Sequence, residues 1–133
     1  MVMKYYLGLI TYCSIFFTGI LSADEFRLSD EVIPNFQVIE LRLDPNRETY
    51  SGKTHIDIEV YKTTRTIKLY SKGLQINSVL MKGKHINERL TVSGTNEYNI
   101  TSLVSEKLIR KGKFTLSLSF QGNFTDTGSG LFK

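Results

Sequence analysis

The two residues best suited to metal or general-base chemistry in this chain of 133 residues are His55 and His85, and they lie thirty positions apart. A zinc hydrolase gathers its ligands on one scaffold, typically two histidines a helical turn apart together with a carboxylate. No His-Glu-x-x-His occurs, nor a Gly-x-Ser-x-Gly elbow, nor a glycine loop of the kind that cradles phosphate. His55 falls on the polar side of an alternating run and His85 in a Lys-Gly-Lys-His turn, so both read as solvated surface residues. Asp57 and Glu59 project from the side that carries His55, but Lys53 shares it, which describes a charged wet face rather than a general-acid pair. Serines are plentiful, and none has a histidine at a spacing that suggests a base. The residues by themselves assign no catalytic, cofactor-binding or metal-binding position.

Charge and cysteine content narrow the classes further. Seventeen Lys and Arg against thirteen Asp and Glu leave a formal charge of +4, which becomes +3 if Lys4 leaves with a leader. Basic residues are spread along the chain, with Arg110-Lys111-x-Lys113 as the only cluster. A nucleic-acid footprint concentrates its charge on one face among aromatics, so no nucleic-acid partner is expected. The single cysteine, Cys13, excludes an internal disulfide framework and a cysteine-ligated metal site.

The N-terminus reads as an export signal. Lys4 supplies a positive start, Tyr5 through Ala23 carries no charge, and Leu21-Ser22-Ala23 ends in small residues just before Asp24-Glu25. Residues 1–23 are therefore taken as a signal peptide cleaved after Ala23, with a signal anchor as the alternative because the stretch is nearly long enough to span a bilayer. Thr11, Tyr12, Ser14 and Thr18 interrupt the apolar core and favour cleavage. Either way residues 24–133 go outside, which predicts a secreted or cell-surface location. Two acceptor tripeptides agree with that, Asn99-Ile100-Thr101 and Asn123-Phe124-Thr125, each near a predicted turn.

The elements that would position all of these are strands. Thr54, Ile56, Ile58 and Val60 alternate with Lys53, His55, Asp57 and Glu59, while Phe114, Leu116, Leu118 and Phe120 alternate with Thr115, Ser117, Ser119 and Gln121. Shorter runs cover Thr66–Tyr70, Leu74–Met81, Arg89–Ser93 and Glu97–Thr101. Glycine-, proline- and asparagine-bearing turns separate them. The first strand, Phe36–Asp44, has apolar residues on both parities, which predicts a bulge near Ile39 or burial on both faces. Only Ser102–Arg110 offers a helical spacing, through Leu103, Leu108 and Ile109. The pattern predicts an all-β fold, an antiparallel β-sandwich or saddle-like sheet preceded by the signal segment.

Several landmarks keep a definite order along this β-domain. Arg27-Leu28 precedes Pro34-Asn35-Phe36; Tyr50-Ser51-Gly52 opens a long strand; Leu69-Tyr70-Ser71 leads to Leu74-Gln75-Ile76; Phe120-Gln121-Gly122 and Gly130-Leu131-Phe132-Lys133 close the chain. Together they resemble the N-terminal β-domain of the aminopeptidase N family of zinc metallo-aminopeptidases. The chain departs from the family phrases at Ser29, Phe36, Phe132 and Lys133, and a lysine cannot make the bidentate fork of an arginine.

The resemblance implies a full-length enzyme in which zinc, held by His-Glu-x-x-His and a distant glutamate, activates water, while a Gly-x-Met-Glu-Asn loop holds the free amine of a peptide substrate. It implies that residues 24–133 cap a catalytic domain of the same polypeptide and that the β-domain is incomplete at its C-terminal end, and it leaves membrane attachment possible through a part beyond Lys133. No residue here inherits a catalytic, cofactor-binding or zinc-binding role. The competing class is a stand-alone secreted binding module without enzymatic activity.

Expression in secretory cells tests the processing. The chain is expected to lose residues 1–23 and to carry glycan at Asn99, Asn123 or both, read by N-terminal sequencing and glycosidase shifts. A product that keeps Met1 and resists carbonate extraction would establish the signal anchor instead.

Overall fold

The computed structural model describes residues 28–125. The leader with its Ala23 cleavage position, Arg27, and the closing Gly130-Leu131-Phe132-Lys133 lie outside the described residues. Seven strands follow one another: β1 (Val32–Arg42), β2 (Thr49–Val60), β3 (Thr64–Tyr70), β4 (Leu74–Gly83), β5 (Ile86–Thr95), β6 (Ile100–Ile109) and β7 (Gly112–Asn123). All pairings are antiparallel, in the spatial order β1-β2-β7-β4-β5-β6-β3. The domain is all-β and saddle-like, as its alternation predicts, and it is built from one sheet curled into a half-barrel.

The curl follows from the connections. Strands β6 and β7 are joined by Arg110 and Lys111 alone, yet β4 and β5 lie between them in the sheet. Three flat strand spacings of ~4.8 Å need ~14 Å, whereas the link from Ile109 to Gly112 reaches only ~11 Å. The β2–β3 link, Tyr61 to Thr63, must cross five spacings with a reach of ~14 Å, little more than half of what a flat sheet demands. Curling brings the two halves of the sheet face to face. Ile58 and Val60 of β2, Val79 and Met81 of β4 and Leu116 and Leu118 of β7 then share one buried cluster with Ile67 of β3, Leu90 of β5 and Leu103 and Ile109 of β6. Each such side chain contributes about 1.5–3 kcal/mol on full burial.

Two short phrases of the sequence gain a physical reason. Tyr50 pairs with Gly122, and Gly52 pairs with Phe120, across the β2–β7 ladder. Each aromatic ring lies over the partner's glycine: a Cβ on Gly52 would stand 2.4 Å from Phe120 Cζ, and one on Gly122 2.4 Å from Tyr50 Cζ. The aromatic-x-Gly phrase thus occurs twice because each copy needs the other. Gly83 repeats the device against Phe114, with 2.5 Å to Cδ1.

Three local expectations are corrected. Residues 102–110 form no helix; 102–109 belong to β6, which sets four residues, Ser105 to Leu108, against the single Arg65 of β3. The bulge is held from β5, where Glu88 Oε1 accepts the Ser105 hydroxyl (2.9 Å) and the Glu106 N–H (2.8 Å). Leu103 and Ile109 are buried while Leu108 points away from the core, so the helix-like spacing was a bulge interrupting a strand. Residues Glu97 to Asn99 lie in the β5–β6 turn, where Asn96 Oδ1 accepts the Tyr98 and Ile100 N–H groups. In β1 the register shifts at Asn35, not at Ile39, and the strand is not buried on both faces: it is an edge exposed on both.

Gly52→Ala is expected to destabilise the domain by about 1–3 kcal/mol, because the added methyl must displace the Phe120 ring. Urea unfolding measures this, and Phe120→Leu in the same chain should recover part of the loss. Full additivity of the two changes would show that ring and glycine are not coupled. Glu88→Ala is expected to cost about 1 kcal/mol, because the Glu106 N–H loses its acceptor while the Ser105 hydroxyl keeps the Lys107 carbonyl at 2.7 Å.

Candidate functional site

The polar outer face of β2 and β7 holds the first candidate. His55 Nδ1 lies 2.9 Å from Ser117 Oγ, and Asp57 Oδ1 accepts the Thr115 hydroxyl at 2.7 Å. Sequence spacing alone did not reveal the Ser117 partner; the antiparallel register, which sets His55 opposite Ser117, does. A serine beside a histidine is the start of a nucleophile, but acyl transfer also needs donors aimed at an oxyanion. Here β2 is laddered by β1 and β7, and β7 by β2 and β4, so the local amides are committed to the sheet. The row is an exposed cross-strand ladder. His85 is in the β4–β5 turn, on a different element from His55. Among the described residues no three His, Cys, Asp or Glu side chains come together as a cation site.

The second candidate is one end of the half-barrel. Alternate turns of an antiparallel sheet fall at the same end, so the β2–β3, β4–β5 and β6–β7 connections gather there. Glu31 ties down the first of them: its carbonyl accepts the Tyr61 N–H (2.8 Å) and its carboxylate pairs with Lys62 (2.6 Å), holding the lysine pKa above its ordinary value. Between the other two turns opens a groove of about 590 Å³. Its walls are apolar, from Ile86, Leu108, Ile109 and Phe114. Its rim is basic: Lys84 and His85 on one turn face Arg110, Lys111 and Lys113 on the other. The Lys-Gly-Lys-His turn and the Arg-Lys-x-Lys cluster, separate in sequence, are thus one feature of the surface.

The third candidate is β1. Phe36 and Val38 stand exposed on its outer side, Ile39 and Leu41 on its inner side, with Phe36 61% accessible. An edge strand with apolar side chains on both faces offers unpaired backbone as well as apolar area. The asparagines of the two Asn-x-Thr tripeptides lie at the end opposite the basic groove, Asn99 in the β5–β6 turn with φ 61° and Asn123 as the exposed last residue of β7.

Among known families, the model of the Peptidase M1 N-terminal domain matches residues 33–133. No curated protein matches the chain.

The exposed β1 and the buried β7 should respond oppositely to one substitution. Of the two strands, the self-association expected of an apolar strand belongs to β1, since Leu118 and Phe120 of β7 are buried. Val38→Lys is expected to reduce concentration-dependent association in size-exclusion chromatography and to leave the melting temperature within a degree or two. Leu118→Lys should unfold the domain, since it places an unpaired ammonium in the core. Equal tolerance of both changes would place the core elsewhere.

Proposed function

The chain belongs to the family of the Peptidase M1 N-terminal domain, and on that premise we propose that it is the non-catalytic β-domain of a secreted or cell-surface zinc metallo-aminopeptidase that removes N-terminal residues from peptides. The observation that carries this reading is the match from β1 through the final residue. The reciprocal pairing of Tyr50-Ser51-Gly52 with Phe120-Gln121-Gly122 supports it, because it gives the landmarks of the resemblance a structural role.

An M1 N-terminal domain is one part of a larger polypeptide that carries a catalytic domain. Zinc does not fit the described residues, among which no His, Cys, Asp and Glu cluster offers a ligand set. No step of hydrolysis is routed through them, and the metal belongs with the catalytic domain. The work proposed for this domain is to dock and position. The two-sided apolar strand β1 is the surface it offers to the catalytic domain, where Phe36, Val38, Ile39 and Leu41 would be covered. Export through residues 1–23 and glycan at Asn99 and Asn123 belong to the same proposal.

A stand-alone binding module is the competing reading, favoured by the basic-rimmed apolar groove. Sequencing the transcript beyond Lys133 separates the two. The enzyme reading expects the frame to continue into Gly-x-Met-Glu-Asn and His-Glu-x-x-His, and a stop codon directly after Lys133 would favour the module. The purified chain of 133 residues is expected to hydrolyse no aminoacyl-anilide with zinc added; chelator-sensitive turnover free of host enzyme would place the chemistry within it.

A further inference from the structure

We propose that the groove between the β4–β5 and β6–β7 turns binds an amphipathic carboxylate, with an aliphatic tail along the apolar walls and the carboxylate among the basic residues of the rim. Three observations carry this. The volume, about 590 Å³, falls within the roughly 300–1,000 Å³ of small-molecule sites, which are mostly apolar with a few polar groups at the mouth. The rim charge has one sign: Lys84, Arg110, Lys111 and Lys113 line the groove, no carboxylate does, and among the described residues none of the four enters an ion pair. Leu108 lies beside those cations with 55% of its surface accessible, an apolar group that gains burial only when something lies against it.

The groove owes its form to the fold's shortest crossing. The two-residue β6–β7 link carries Arg110 and Lys111 across the mouth of the curled sheet, towards the tip of the β4–β5 hairpin. Ile86 and Phe114, near the ends of β5 and β7, form a preformed apolar floor backed by the fully buried Ile109 of β6. Like charges held around that floor repel one another, and a single carboxylate relieves the repulsion while its tail removes apolar surface from water. A neutral tail satisfies only the floor, and a cationic one is opposed by the rim.

Calorimetric titration of the chain with dodecanoate, below its micelle concentration, tests the assignment. Dodecanoate is expected to bind one to one, with decanoate roughly tenfold weaker for the two methylenes it lacks. Dodecanol should be markedly weaker, and dodecyltrimethylammonium should not bind. Raising the salt should weaken dodecanoate binding. Leu108→Asp and the double variant Arg110→Glu, Lys111→Glu alter exposed positions and should keep the wild-type melting temperature while reducing affinity at least tenfold. Unchanged affinity in both variants, or equal binding of the cationic and anionic amphiphiles, would overturn the proposal. So would tight binding of the peptide Asp-Glu-Phe-Glu-Asp with none of dodecanoate, which would reassign the groove to an acidic protein partner.

Discussion

Two short links, Arg110-Lys111 between β6 and β7 and Tyr61 to Thr63 between β2 and β3, constrain everything else in this domain. Neither reaches across a flat sheet of the observed strand order, so the sheet must curl. Without the curl, Ile67 and Leu103 would have nothing to face, and the inward side chains of β2, β4 and β7 would lie open. The core is thus a product of connectivity as much as of apolar content. The same crossing that closes the core draws the basic turns together and leaves the groove between them.

What the sequence made legible depended on how one-sided each strand is. β2 and β7 are each flanked by strands on both sides, with one buried and one wet face, so their alternation was readable residue by residue. β1 was harder because an edge strand with apolar residues on both parities looks the same as a strand buried on both. Burial is a property of neighbours, and the neighbours were not in that stretch of sequence. β6 failed for another reason: a four-residue bulge resets the period, and Leu103, Leu108 and Ile109 fall by accident at a helix-like spacing. The hydroxyl and carboxylate that hold the bulge, Ser105 and Glu88, come from different strands and carry no local signal.

The candidate sites divide along the same line. His55 and Asp57 were read correctly as a wet face, and only their partners Ser117 and Thr115 needed the register. The groove was invisible because its two halves, Lys84-His85 in a hairpin turn and Arg110 to Lys113 at the β6–β7 crossing, are far apart in sequence. Counting alternate turns in an all-antiparallel sheet would have put them at one end, though not opposite each other.

The reciprocal rings and glycines also fix how β2 and β7 can pair. The smallest slip that keeps their inward sides inward is two residues. In one direction it would bring Tyr50 against Phe120 and Gly52 against Leu118, two rings in a space sized for one. In the other it would oppose Gly52 with Gly122 and leave a hole where a ring belongs. The paired phrases therefore act as a key that admits a single alignment of the two strands, and the neighbours β1 and β4 inherit that alignment as they join.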